Sequence, residues 1–299
     1  MPAPHPAGIR TEINKAVVPV AGLGTRLRPL TTVVPKELLP LGRKPALAHI
    51  AVELRAAGIT QALFIISESK PQIRAFLGDS YVDEEMEGPL QCDYAVQVAP
   101  RGSGDAVLCA EAWAGGTPFV VAFGDCLMVA PQGDSAGPLR RLIAAHEAHR
   151  AGATILVEPI SREKVSRYGI VAPEGAPPFP SGAPFPLAGI VEKPAPEEAP
   201  STLAVAARFV LTPAIFTFLR CAKADPRGEL NLPDAVHALR KAGHPVWAVV
   251  LYAGERRQDI GNFEDYFAAF TRAALRDDRY GAAARRAAKE ALGEAGPAQ

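Results

Sequence analysis

Apolar residues in this chain come in short unbroken runs, separated by segments in which they recur every three or four positions. The runs KAVVPVAG from Lys15, QALFIIS from Gln61, YAVQV from Tyr94 and PFVVAFGD from Pro118 are rich in Val, Ile and Phe and read as strands. Between them, PALAHIAVELRAAG from Pro45, PQIRAFLG from Pro71 and GDAVLCAEAWAG from Gly104 carry helical spacing. Fully apolar strands alternating with amphipathic helices predict an α/β fold with a doubly wound, mostly parallel sheet.

The rhythm changes after a helix near Pro138 to Arg150. ATILVEPI, YGIVAP, LAGIVEKP and LAVAARFVL are strand-like and follow one another with little helix between them, which reads as a β extension on the substrate side. Helices return at Pro213 to Arg220 and Leu232 to Ala242, then a strand PVWAVVLY and a helix from about Asn262 to Arg276. The second half therefore does not read as an independent domain. We expect a flexible N-terminus over residues 1–14, one domain over 15–276 and an Ala-rich, partly helical tail over 277–299. Within the domain, residues 15–130 and 151–260 differ in rhythm and read as its two parts. PEGAPPFPSGAPFP, Pro173 to Pro186, is so rich in Pro and Gly that it reads as an exposed loop.

Charge and cysteine content narrow the function. Lys plus Arg and Asp plus Glu each total 32 in 299 residues, so no overall field attracts nucleic acid or an anionic membrane, and an anionic partner must be met locally. No apolar run reaches membrane-spanning length and the N-terminus lacks a secretory apolar core, which points to the cytoplasm. Cys92, Cys109, Cys126 and Cys221 stand singly, without zinc or disulfide spacing, and read as small apolar residues.

The chemistry concentrates after the first strand, in VAGLGTRLRPLTTVVPKELLP from Val20 to Pro40. A glycine-rich turn after a strand lets backbone N–H groups approach phosphate oxygens. A dinucleotide fingerprint would need a glycine where Leu27 stands, and a Walker loop would need Gly-Lys-Ser/Thr where Thr25, Arg26 and Leu27 follow Gly24. Both fail.

The stretch AGLGTRLRPLT with PKELLPLGRKP instead resembles the signature of the sugar-1-phosphate nucleotidylyltransferases, and its PKE variant is most similar to the bacterial UTP:glucose-1-phosphate uridylyltransferases. The resemblance continues through VQVAPRGSGDAVLCA, FGDCLM, RYGIV, VEKP, RFVLTPAIF, GELNLPDAV and QDIGN, roughly Lys15 to Thr271. Eight pieces in family order are far more specific than one glycine turn. The resemblance implies a Rossmann-like mixed sheet of the nucleotide-diphospho-sugar transferase type. It also implies transfer of uridylate from UTP to glucose 1-phosphate, releasing UDP-glucose and pyrophosphate, with Mg2+ as cofactor, and a dimer or tetramer of the chain.

Such a reaction drives one polyanion against another, so cations and positioning are needed more than a nucleophilic side chain. On the family pattern, the backbone of Ala21, Gly22, Leu23 and Gly24 cradles the nucleotide while Arg26 and Lys36 reach its phosphates. By the same resemblance Asp125 and Asp259 hold the metal, residues 15–130 serve mainly the nucleotide, and residues 151–260 mainly the sugar phosphate. Gln97 and Gly102 meet the pyrimidine edge; Gly169 and Glu192 meet the sugar, and Lys193 its phosphate. The six histidines fall outside the motifs and read as surface or packing residues.

The segment from Lys70 to Gln97 is shorter, and the Pro-rich loop longer, than the resemblance leads one to expect, and Asp105 and Cys126 are unexpected at their places. Transfer of thymidylate, another hexose 1-phosphate as acceptor, and a non-catalytic nucleotide-sugar-binding module are the alternatives. The presence of Arg26, Lys36, Asp125, Lys193 and Asp259 together favours an enzyme.

Overall fold

A computed structural model describes residues 13–293 apart from 132, 176 and 178. The chain runs from β1 (Lys15–Pro19) through a glycine turn and a small hairpin, β2 (Pro40–Leu41) and β3 (Lys44–Pro45), into α1 (Ala46–Ala56). It continues as β4 (Gln61–Ile66), α2 (Pro71–Leu77), β5 (Ser80–Tyr81), β6 (Leu90–Val96), α3 (Gly102–Leu108), α4 (Glu111–Ala114), β7 (Phe119–Ala122) and β8 (Cys126–Val129). The second half holds α5 (Gly137–Ala148), β9 (Ala153–Pro159), β10 (Gly169–Pro173), β11 (Pro184–Glu192), β12 (Leu203–Leu211), α6 (Ile215–Cys221) and α7 (Leu232–Lys241). β13 (Val246–Val250), β14 (Arg256–Asp259), α8 (Phe263–Arg276) and α9 (Gly281–Ala291) complete it.

Ten strands form one sheet in the order β10-β11-β13-β9-β12-β7-β1-β4-β6-β5, so strands from both halves of the chain share it. The sheet is mixed. It is parallel across β7-β1-β4-β6 and between β9 and β13, and antiparallel elsewhere, so the expected parallel pairing is confined to two blocks and does not extend through the second half. The physical reason is connection length: consecutive strands β9 to β12 lack crossover helices, and parallel neighbours need them.

Alternation along the strands divides the core in two. Ala16, Val18 and Phe64 face α1, α2 and α5 through Leu47, Ile50, Ile73 and Leu139, whereas Val17, Leu63 and Ile65 face α3, α6 and α7 through Val107, Phe216 and Leu232. β1, β4 and β7 are buried on both faces, which explains their unbroken apolar sequence. A third cluster sets Leu27, Leu39, Leu41, Leu127 and Ile260 against Tyr266 and Ala269 of α8, clamping the segment after β1 to the body.

Two boundary expectations change. The Pro-rich segment is not loop throughout, because Pro184, Phe185 and Pro186 open β11 and pair antiparallel with Val249, Ala248 and Trp247. Phe185 is buried and stacks on Phe179, so burial of one aromatic side chain outweighs the poor strand propensity of its proline neighbours. Ile13, placed in the flexible N-terminus by sequence, lies in the core at 1% exposure. Residues 1–12, most of the expected N-terminal segment, and 294–299, the end of the tail, lie outside the described residues. Cys92 and Cys126 are buried as expected, while Cys221 is exposed.

Candidate active site

Parallel strands β1, β4, β6 and β7 place their carboxyl ends along one edge, and the glycine turn begins there. Val20 still hydrogen-bonds to the sheet, its N–H donating to Ile65 O at 2.9 Å, and the chain then leaves the plane. Gly24 sits at φ 63°, where a side chain would be strained, and a Cβ there would lie 3.1 Å from Thr31 Cγ2. The Thr31 hydroxyl closes the turn by donating to Gly24 O at 2.8 Å. Buried Leu27 then anchors it in the third cluster.

Beneath the turn lies a pair that sequence reading missed. Lys70 Nζ donates to Val20 O at 2.8 Å, to Gly22 O and to Glu37 Oε2 at 2.9 Å. Glu37 is 1% exposed and Lys70 is 5% exposed. The lysine thus occupies two carbonyls of the turn, fixing the peptide planes of Ala21 and Leu23 as well as the path of Gly22. Burial pushes the Glu37 carboxyl up and the Lys70 ammonium down, against their mutual attraction. Glu37 stands in the quoted PKE motif, but Lys70 carried no local signal.

Arg26, Lys36 and Asp125 converge above this pair. Lys36 Nζ is ion-paired with Asp125 Oδ2, and a Cβ on Gly22 would be 3.6 Å from the same Nζ. A Cβ on Gly261 would lie 3.0 Å from Arg26 Nη2 and 3.9 Å from Asp125 Oδ2, so Gly261 leaves room for the guanidinium beside the carboxylate. Gly124 is equally constrained, since a Cβ there would come within 2.3 Å of Val20 Cγ1. The Asp125 turn therefore packs directly on the glycine turn. Burial opposes charge at both Lys36 and Asp125, yet their attraction raises the former pKa and lowers the latter, keeping both ionised.

Asp259 is brought alongside by a separate ribbon. β14 pairs antiparallel with β8, setting Asp259 opposite Cys126, and Ile260 N–H donates to Asp125 O at 3.0 Å. Burial, with the neighbouring Asp125 charge adding to it against the pull of Arg257, raises the Asp259 carboxyl. Arg257 Nε lies 2.9 Å from Glu158 Oε1 and 3.5 Å from Asp259 Oδ2. Buried Arg208 braces the other side, held by Glu53 at 2.7 and 2.8 Å while its Nη2 donates to Cys126 O at 2.9 Å. None of these supports was singled out by sequence.

The residues expected to meet the sugar phosphate form a neighbouring group. Gly169 and Glu192 face each other across β10 and β11, and a Cβ on Gly169 would sit 2.9 Å from Glu192 Oε2, so only glycine leaves that carboxylate in place. Lys193 Nζ lies 3.1 Å from Glu192 Oε1, and Lys193 holds φ 47°, a left-handed conformation that is strained for a lysine. Both line an open cavity of about 540 Å³ with Asp225, Arg227, Asn231 and Asp234. His237 also lines it and accepts from Ile190 N–H at 3.3 Å on Nδ1, so this histidine belongs to the cavity wall rather than to plain packing. Lys193 N–H donates to Tyr168 O at 3.0 Å, and the Tyr168 ring lies 3.8 Å under the Arg257 guanidinium. This group is thereby tied to Asp259 through Tyr168 and Arg257.

Gln97 and Gly102 form a third group at the end of β6. Gln97 N–H donates to Ile66 O at 2.8 Å, one residue beyond the Val20 contact with Ile65, so Gln97 and the glycine turn flank β4. Gly102 adopts φ 92° and packs so closely on the 225–231 segment that a Cβ would reach 2.5 Å from Leu230 O. Leu230 N–H donates to Arg101 O and Gly104 N–H to Leu230 O, at 2.8 and 2.7 Å. That segment also lines the cavity beside Glu192 and Lys193, and so joins two of the groups.

Asp125 and Asp259 carry hard carboxylate oxygens near enough for the charge of Asp125 to act on Asp259, and among the described residues no group of three or more His, Cys, Asp and Glu gathers to hold a metal ion. Two carboxylates suit a divalent ion that takes its remaining ligands from phosphate and water. No helix among the described residues is long and apolar enough to cross a membrane.

The same architecture recurs in known proteins. A nucleotidyl transferase family model matches residues 15–275. A UTP--glucose-1-phosphate uridylyltransferase of Streptococcus pneumoniae is 35% identical over 248 residues, covering 77% of this chain and 81% of that protein. Its namesake from Streptococcus pyogenes is 36% identical over 249 residues, covering 77% and 80%. Among solved structures, the UDP-glucose pyrophosphorylase of Acinetobacter baumannii superposes with a TM-score of 0.81 at 29% identity, covering 93% of this chain and 99% of that one. A UDP-glucose pyrophosphorylase complexed with UDP-glucose gives 0.79 at 28% identity, covering 89% and 100%. With that family model matched over most of its length, the chain belongs to the nucleotidyl transferase family.

Proposed function

We propose that the protein transfers uridylate from UTP to α-D-glucose 1-phosphate, forming UDP-glucose and pyrophosphate. The observation that carries this reading is the convergence of Arg26, Lys36 and Asp125 on a glycine turn whose peptide planes are held from below by Lys70. Relatives named for this reaction, and a similar solved structure of a UTP-bound enzyme from Acinetobacter baumannii, support the choice of nucleotide and acceptor.

In this reading the N–H groups around Gly22 and Gly24 receive the triphosphate, and Arg26 and Lys36 offset its charge. Lys36 exchanges its Asp125 partner for phosphate oxygens. Gln97 and Gly102 meet the base. Glu192 accepts hydrogen bonds from sugar hydroxyls against Gly169, and Lys193 binds the sugar phosphate and turns it toward the α-phosphorus. An oxygen of that phosphate, already ionised at neutral pH, forms the new bond to the α-phosphorus as the bond to the β-phosphate oxygen breaks. The electron pair leaves with pyrophosphate, and no side chain needs to gain or lose a proton. Stabilisation is electrostatic and positional.

Asp125 and Asp259 would hold a magnesium ion, which when bound offsets charge developing on the phosphate oxygens. Assembly as a dimer or tetramer and work in the cytoplasm belong to the same reading, as does a single domain over residues 15–276. The decisive experiment measures pyrophosphate release across a matrix of nucleoside triphosphates and sugar 1-phosphates with Mg2+. UTP with glucose 1-phosphate should give the highest kcat/KM; preference for ATP or GTP would overturn the assignment.

A further inference from the structure

Asp105, unexpected in the sequence, lies against the residue assigned to the base. Gln97 Nε2 donates to Asp105 Oδ2 at 2.7 Å and to Gly102 O at 3.1 Å. Both partners are oxygens without a proton to give, a carboxylate and a peptide carbonyl. Rotating the amide by half a turn would put Gln97 Oε1 against two other oxygens, in a site where Gln97 is 6% and Asp105 8% exposed. The buried clash of three acceptors forbids it. Both amide hydrogens are thus consumed, and among the described residues Oε1 makes no hydrogen bond. Arg101 Nη2, 3.3 Å from Asp105 Oδ1, engages the second carboxylate oxygen.

From this geometry we infer that Asp105 is the positioning residue that makes Gln97 an acceptor only, and so selects triphosphates whose base carries an imide N–H. The inference rests on the assignment of Gln97 to the base in the proposed function. Uracil presents N3–H, which meets Oε1. Cytosine presents a bare N3 lone pair at the same place, and Gln97 cannot turn its amino group outward to meet it. A free glutamine would serve either base by rotating; a locked one rejects the mismatched edge because a buried polar group is left unpaired. Thymine has the same N3–H, so Asp105 sets UTP and TTP apart from CTP and does nothing to separate the first two.

The test compares kcat/KM for UTP and CTP with glucose 1-phosphate in the full-length protein, Asp105→Ala, Asp105→Asn, Gln97→Ala and the double variant Gln97→Ala/Asp105→Ala. The UTP-to-CTP ratio should fall about tenfold in Asp105→Ala, the worth of one hydrogen bond. Asp105→Asn keeps an acceptor oxygen but tolerates the reversed amide, so its ratio should fall between. In the Gln97→Ala background the Asp105 substitution should leave the ratio unchanged, because nothing remains to orient. A ratio in both Asp105 variants equal to that of the unaltered protein, or an equal drop with and without Gln97, would overturn the inference while leaving the uridylyltransferase reading intact. An unaltered protein that uses CTP as well as UTP would sink the inference and the base assignment together.

Discussion

The Lys70 ammonium lies 2.9 Å from the Glu37 carboxylate, and both are buried beneath the carbonyls of Val20 and Gly22. A buried pair of this kind contributes little net stability, because desolvation offsets attraction, but removing one partner leaves an uncompensated charge.

Lys70→Met should therefore lower unfolding free energy by roughly 3–5 kcal/mol, and Lys70→Met/Glu37→Leu should recover most of that loss. The double variant should nevertheless bind UTP more weakly, since the two turn carbonyls have lost their donor. Chemical denaturation gives the first quantity and KM for UTP the second. A stable double variant with an unchanged KM would show that Lys70 does not shape the turn.

Asp125→Asn keeps the size of the side chain but weakens a carboxylate pair assigned to the metal. Turnover should drop by orders of magnitude while the melting temperature changes by a few degrees at most. Steady-state kinetics in saturating Mg2+ with a parallel thermal melt decides it, and undiminished turnover would remove Asp125 from the mechanism.

Lys193 stands beside Glu192 at the cavity and is linked to Asp259 through Tyr168 and Arg257. Lys193→Ala should thus leave UTP affinity nearly intact while lowering kcat/KM for glucose 1-phosphate at least tenfold. Binding of UTP by titration calorimetry, set beside acceptor kinetics, separates the two effects. Equal loss of both would mean that Lys193 serves the nucleotide.

Stability should fall on mild acidification for a reason remote from the site. His146 is buried on α5, its Nδ1 3.0 Å from Thr154 Oγ1, and burial pushes its imidazole down to about 4 from an ordinary 6.5. Below pH 6.5 the unfolded chain binds a proton that the folded chain refuses, so this contribution is complete above 6.5 and is lost as pH falls towards 4. The loss is about 3 kcal/mol at most. Denaturant unfolding at pH 7 and pH 5 should show the decline, and His146→Gln should flatten it; an identical slope in that variant would assign the acid sensitivity elsewhere.

Much of this protein is written in local patterns. Unbroken apolar runs specify β1, β4 and β7 because a strand covered on both faces has no polar side to show. The glycine turn, PKE and QDIGN are short and contiguous, so Gly24, Lys36 and Asp259 could be named before any coordinates. Their surroundings could not. Lys70 reaches Glu37 across 33 residues, Arg208 reaches Glu53 across 155, and Arg257 gains its meaning from Glu158 on β9 and from Tyr168 just before β10. Charged residues such as these read as surface groups until packing removes water from them. Pro184 to Pro186 became strand for the same reason, since the partner β13 and the pocket for Phe185 exist only once the sheet has formed. Sequence alone determined which groups could do the chemistry; tertiary structure decided which of them are held still, because burial and long-range pairing have no signature shorter than the fold itself.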